Sequence, residues 1–212
     1  LMVYTGNIDM KDIVVQNQNT GSVCGWGATV RVRDAIYDDN MAIHFSGHVT
    51  SASQKFYLYD VIWDEEKLRT YKNSGAKLYD LNTFNVKVID EDNVGIENAS
   101  VSITDSASNN VTKLTDSNGD IAEQELTKAD YINNGSATGV GSAFYTKVNY
   151  NPFDIIVTKS GYETYSSTFT LAIDTNKLVI TLKKIKQIRH TDKGQVIATQ
   201  PHLGSRSYLV SN

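Results

Sequence analysis

Cysteine is almost absent: Cys24 is the only one in 212 residues. No internal disulfide can form, so a disulfide-dense secreted scaffold is excluded and stability rests on burial and hydrogen bonding. A lone free cysteine is more commonly a small buried residue than a nucleophile, and Cys24 is read that way. Proline is scarce too, two residues against 14 glycines. No run of about 18 apolar residues exists, so no membrane-spanning helix is expected. Neither sign of charge dominates: 20 Lys and Arg stand against 24 Asp and Glu, a net charge of -4. Phosphate binding needs clustered basic residues, and a nucleic-acid partner is therefore not favoured. Also missing are a Ser-His-Asp order, a zinc-ligand spacing, a phosphate-binding loop and a dinucleotide fingerprint. No catalytic, cofactor or metal residues are assigned, and the chain is expected not to be an enzyme. No signal peptide is visible, and with Leu1 first the chain is expected to start after a cleavage or to belong to something longer.

What is present reads as strand. Hydrophobic residues make up 40 % of the chain and charged ones 21 %, enough apolar material for real cores. Twelve tyrosines accompany frequent Asn, Ser and Thr, which suit pleated surfaces and turns. Helix periodicity is hard to find. Within residues 1–83, three stretches alternate and then turn at Asp or Asn: Ile8 to Asn17, Ala28 to Asn40 and Phe56 to Asp64. They recur at roughly 20 to 28 residues, a solenoid spacing. The phrases IDMKDIVVQN, VRVRDAIYDDN and FYLYDVIWDEE resemble rungs of a right-handed parallel β-helix, which would make residues 1–83 its last coils. An ordinary antiparallel sheet or a second sandwich is the alternative. Polysaccharide cleavage on such a helix would use paired carboxylates, for which Asp34, Asp38, Asp60 and Asp64 are the plausible set. Each is also a natural turn residue. Trp26, between Gly25 and Gly27, is placed to stack on a sugar or to cap a core. His44 and His48, if on a strand, stand too far apart to share a metal. Glu65 to Lys72 is the best short helix of this half.

Residues 84–184 alternate more cleanly. Phe84, Val86 and Val88 precede the turn Asp90-Glu91-Asp92-Asn93; Ala99, Val101 and Ile103 precede Thr115-Asp116-Ser117-Asn118-Gly119. A later strand ends Lys159-Ser160-Gly161-Tyr162. Short alternating strands between such turns predict an antiparallel sandwich. The combination VKVIDEDNVGIENASVSITD, TDSNGD and FDIIVTKSGYETY resembles the carboxypeptidase regulatory-like domain, a transthyretin-like relative of the immunoglobulin sandwiches. The residues that carry the likeness are Val86, Val88, Asp90, Ile96, Ala99, Val101, Thr115, Asp116, Asn118, Gly119, Lys159, Gly161 and Tyr162. The resemblance implies a structural or adhesive module and no chemistry. NNGSATGVGSAFYTKVNYNP reads as a loop insertion with a strand near Ala143–Val148. The aromatics Phe144, Tyr145 and Tyr150, with Phe153 just beyond, form a contact surface or else cover a sheet edge; Trp26, Phe144, Tyr145 and Tyr150 are the possible contact residues. Asp116 opens a calcium-like phrase, but position 12 of an EF-hand count is Thr127 where a Glu is needed, so a turn suffices. Asn98, Asn110 and Asn134 lie in glycosylation sequons.

Residues 185–212 form a tail whose basic start and later strand suit pairing with a neighbour's edge. The fold class expected is all-β: a β-helix-like or β-rich segment, then an immunoglobulin-like sandwich. The function expected is a non-catalytic structural or adhesive module of an extracellular, cell-surface or virion assembly. Its partners would be other subunits of a homo- or hetero-oligomer and surface glycans. Carbohydrate binding or cleavage by the β-helix is the alternative.

Overall fold

The computed structural model describes residues 2–3, 7–12, 14–15, 24–25, 29–37, 44–45, 55–70, 76–134, 138–172 and 177–186. The chain is all-β there, with only two short 3-10 turns, Glu65–Lys67 and Ser142–Phe144. The helix expected over Glu65 to Lys72 is cut to the first of these. Leu68 and Thr70 are buried positions, and Arg69–Thr70 is already strand. The longer strands are β1 (Asn7–Lys11), β2 (Thr29–Arg33), β3 (Lys55–Tyr59), β4 (Lys77–Ile89), β5 (Ser100–Thr104), β6 (Asn110–Leu114), β7 (Gln124–Asn133), β8 (Tyr145–Asn149), β9 (Phe153–Thr158), β10 (Tyr165–Phe169) and β11 (Lys177–Thr181). Contacts gather the chain into two units. One holds residues 1–84, 124–151 and 170–176; the other holds 85–123, 152–169 and 177–212. Residues 84–184 are thus divided between them.

The first unit is a stack of coils. Strands β1, β2, β3 and the first half of β4 pair side by side, all parallel. They begin at residues 7, 29, 55 and 77, spacings of 22, 26 and 22. The other sides of the coils are short parallel pairs: Val14–Val15 with Ile36–Tyr37, Met2–Val3 with Cys24–Gly25, and His44–Phe45 with Arg69–Thr70. This is a parallel β-solenoid, and the antiparallel alternative for residues 1–83 falls away.

In-register stacking puts the same kind of residue in the same column. One inward column runs Ile8, Val30, Phe56, Leu78 and Tyr131; the next runs Met10, Val32, Leu58, Asp80 and Ala129. Val30, Phe56, Leu58, Leu78 and Tyr131 are at most 2 % exposed. Each strand ends at a corner residue with positive φ: Asp12 (54°), Asp34 (51°) and Asp60 (52°). Asp tolerates that left-handed backbone better than most side chains. Each corner N–H donates to a carbonyl of the next rung, Asp12 to Arg33 at 3.2 Å, Asp34 to Tyr59 at 3.0 Å and Asp60 to Leu81 at 2.9 Å.

The stack ends where the pairing changes direction. Strand β7 runs antiparallel to β4, and β8 antiparallel to β7. Gly139–Val140 runs antiparallel to Arg69–Thr70. Residues 124–151 therefore close the last coil, as terminal caps of solenoids must. The register of β4 and β7 shifts between Asp80 and Leu81. Lys128 is the extra residue of this bulge, which re-aims its side chain.

The second unit is a sandwich of two sheets. Strands β6, β5, β9 and β10 form an antiparallel four-stranded sheet. The second half of β4 pairs in parallel with β11, and single bridges join it to Gly95 and Asp120. Val86, Val88, Val101, Ile155, Val157 and Ile180, on strands joined by Asx turns, are buried. Those turns are built as their composition predicts: Asp90 accepts from the N–H groups of Asp92 and Val94, and Asp116 from those of Asn118 and Asp120.

Candidate functional site

The fourth rung places a carboxylate where the second and third place Val32 and Leu58. Asp80 is 2 % exposed. An unpaired carboxylate in an apolar column would be costly, so it must be matched. Lys128 reaches it from the bulge, Nζ to Oδ2 at 2.9 Å. The indole N–H of Trp63 donates to the same carboxylate. Burial raises the Asp80 pKa above the ordinary carboxylate value, and Lys128 and Trp63 only partly offset it.

A second carboxylate beside it is held in the same manner. Glu65 opens the 3-10 turn that Asp64 caps by accepting from the Glu66 N–H at 3.0 Å. Glu65 Oε2 accepts from the Tyr131 hydroxyl at 2.5 Å and from the Lys147 ammonium. Burial works to raise its pKa, but the hydrogen bonds from Lys147 and Tyr131 outweigh that, and the net shift is downward. Burial, reinforced by the Glu65 carboxylate, pushes the Tyr131 phenol far up; burial likewise pushes Tyr145 up to about 12. The rings interlock: Trp63 meets Tyr131 edge-on with centroids 5.2 Å apart, and Tyr131 meets Tyr145 at 5.2 Å. Lys147 also lies 5.4 Å from the Tyr131 centroid.

These groups line one open cleft of about 430 Å³. Its walls are Val61, Ile62, Trp63, Leu171 and Ala172; its polar groups are Glu65, Asp80, Lys128, Tyr131 and Lys147. All belong to the first unit. Concave apolar walls with a few convergent polar groups are the usual form of a small-molecule site. Each carboxylate grips one ammonium and one aromatic donor, so the lining is held rigid before any ligand arrives.

The residues picked out from sequence fall elsewhere. Asp34 and Asp60 are coil corners, and Asp60 accepts from the Asn82 side chain and from Thr83. Asp64 is a cap. Asp38, Trp26 and His48 lie outside the described residues, as do the side chains of Cys24 and His44. Tyr145 is a correction: it is 7 % exposed and belongs to the solenoid core, its ring packed edge-on against Tyr131, so it offers no contact surface. Phe144 lies against Gly139, where an added Cβ would collide with its ring. Tyr150 donates to Asp130 at 3.0 Å, and Phe153 stacks on Phe169 in the other unit. The insertion is thus the closing segment of the solenoid, and its expected strand is β8. The outward tyrosines are not a free platform either. Tyr57 stacks on Tyr79 at 4.8 Å, and Arg31 and Arg33 cover Tyr57 and Tyr59 at 5.5 and 3.8 Å. Among the described residues no cluster of His, Cys, Asp and Glu suits a metal ion.

Sequence reading missed Asp80, Lys128 and Trp63. A signal existed: aligning Lys77-Leu78-Tyr79-Asp80 under Lys55-Phe56-Tyr57-Leu58 puts a charge in an apolar column.

No protein-family model and no curated protein matches the chain. Solved structures similar to it include the 3-chlorocatechol 1,2-dioxygenase of Rhodococcus opacus 1CP, at 12 % identity and a TM-score of 0.34, covering 50 % of this chain and 60 % of that one. Wild-type catechol 1,2-dioxygenase of Acinetobacter radioresistens matches at 12 % and 0.31, over 59 % and 57 %. The TIE protein of Bacillus anthracis matches at 14 % and 0.28, over 57 % and 26 %. The chain spans at most 60 % of the length of these structures. The expectation that the chain is not an enzyme is corrected by these neighbours, among which dioxygenases stand. At these scores the likeness transfers none of their chemistry.

Proposed function

We propose that this chain is a structural or adhesive module of an extracellular or virion surface assembly. The observation that carries the reading is the stack of in-register parallel coils, closed by an antiparallel cap, whose last strand continues as the first strand of a sandwich. Stacked coils of this kind present in-register strands along one extended face, which suits contact with other subunits. The likeness to carboxypeptidase regulatory-like domains supports the same role for the second unit. Electron microscopy with mass spectrometry of the native particle tests it. A repeating oligomeric assembly is expected; a free monomer overturns the reading.

A second reading concerns what the module grips. The cleft sets an aromatic wall beside fixed carboxylates and ammonium groups, which suits a saccharide: ring C–H faces lie on aromatics while hydroxyls bond to charged side chains. A glycan-binding screen of the intact chain is the test, with binding expected to weaken in Trp63→Ala. A screen with no responding glycan overturns it.

A further inference from the structure

Four charged side chains line the cleft, and they cancel. Asp80 and Glu65 carry two negative charges; Lys128 and Lys147 carry two positive ones. Every charge already has its opposite within hydrogen-bond distance, so the cleft has no net attraction for an ion. A bound carboxylate or sulfate that drew Lys128 away would strand the buried Asp80 carboxylate, which is strongly unfavourable, and the balanced, more exposed Glu65–Lys147 pair offers it no net charge.

The pairing leaves hydrogen-bonding capacity unspent. Each ammonium has three donors, and the side chains of Lys128, Glu65 and Lys147 are 29 %, 38 % and 37 % exposed. Donors and acceptors are therefore offered side by side. A hydroxyl both donates and accepts, so a polyol matches such a lining without disturbing it. Ile62, half exposed, and Trp63 add an apolar wall. The volume is at the lower end of the range of about 300–1,000 Å³ for ligand sites, room for a short segment rather than a long chain.

On the reading that this cleft takes a saccharide, we infer that its ligand is an uncharged pyranose unit, held between Trp63 and the Glu65–Lys147 pair, and that uronate and sulfated sugars are refused. Asp80 acts as a positioning residue that fixes Lys128 and the Trp63 indole from below.

Calorimetric titration of the whole chain with three trisaccharide classes tests this: a neutral hexose trimer, its uronate counterpart and its sulfated counterpart. The neutral sugar is expected to bind at least roughly tenfold more tightly than either charged one. Trp63→Ala is expected to lose roughly tenfold in affinity. Glu65→Gln keeps the size of the side chain, releases Lys147 and gives the cleft one net positive charge. Preference is then expected to swing toward the uronate, a change that mere loosening of the fold would not produce. Charged sugars binding the unmutated chain as well as the neutral one, or no swing in Glu65→Gln, overturn the inference and leave saccharide binding standing. Silence from all three classes overturns both.

Discussion

Asp80 shows how one side chain can be both a liability and a constraint. Lys128→Met leaves the buried carboxylate with the Trp63 indole N–H but no cation, and a loss of about 3 kcal/mol in unfolding free energy is expected at neutral pH. The raised folded pKa sets the pH dependence: the native state holds the Asp80 proton more tightly than the unfolded chain, so ionisation weakens the fold as pH rises from the ordinary value of 3.8 through the folded one. The deficit of Lys128→Met should therefore shrink when urea titrations move from neutral pH to about pH 4. The double change Asp80→Leu with Lys128→Met restores the Val32–Leu58 column and should come within about 1 kcal/mol of the original. Asp90 behaves oppositely. The Val94 N–H, and then Lys184, hold its pKa below 3.8. Its contribution is complete above 3.8 and is lost as pH falls through the lower, folded value. Carboxyl NMR titration should place its midpoint below that of an exposed Asp, and Asp90→Asn should flatten the acid limb of the stability curve. Gly119 has φ +81°, and an added Cβ would strike the Val88 carbonyl. Gly119→Ala is expected to lower stability by more than about 1 kcal/mol, read by thermal melting.

Among the elements, the rung is the unit of energetics. Phe56 sits mid-column between Val30 and Leu78 and is 1 % exposed. Phe56→Ala opens a cavity that neighbouring rungs cannot refill, and about 3–5 kcal/mol should be lost in chemical denaturation. The rungs were legible because inward Val, Ile, Leu and Phe alternate with outward polar residues and each run stops at Asp. The fourth was not: Asp80 breaks the apolar alternation and Leu81 follows it. The cap, apart from β8, was illegible for another reason. Its Gly and Ser content is that of a loop, and only pairing with β4 and with Arg69–Thr70 makes it strand. The cleft needs Trp63, Asp80, Lys128 and Lys147 together, from four separate stretches of chain. No local spacing announces that.

For the whole molecule, the order of residues along the chain and their grouping in space diverge. Residues 124–151 lie beyond the start of the sandwich in sequence yet complete the solenoid. A fragment ending at residue 84 would lose β7, expose one edge of β4 and remove Tyr131 and Tyr145 from the core. It should show no cooperative melt by circular dichroism and should aggregate through the bare edge. The sandwich turns, by contrast, were readable in detail because Asx turns and positive-φ glycines depend on neighbours two to four residues away.

The uneven coil length has a practical meaning. The second coil carries four more residues than its neighbours, 26 against 22, yet β2 and β3 remain in register from Thr29–Lys55 to Arg33–Tyr59. The corner at Asp34 keeps its hydrogen bond to Tyr59 all the same. Length is thus absorbed away from the corners, and the same interval can serve as a graft point. A foreign peptide spliced between Tyr37 and Lys55 is expected to leave the β2–β3 register and the Asp34 corner unchanged.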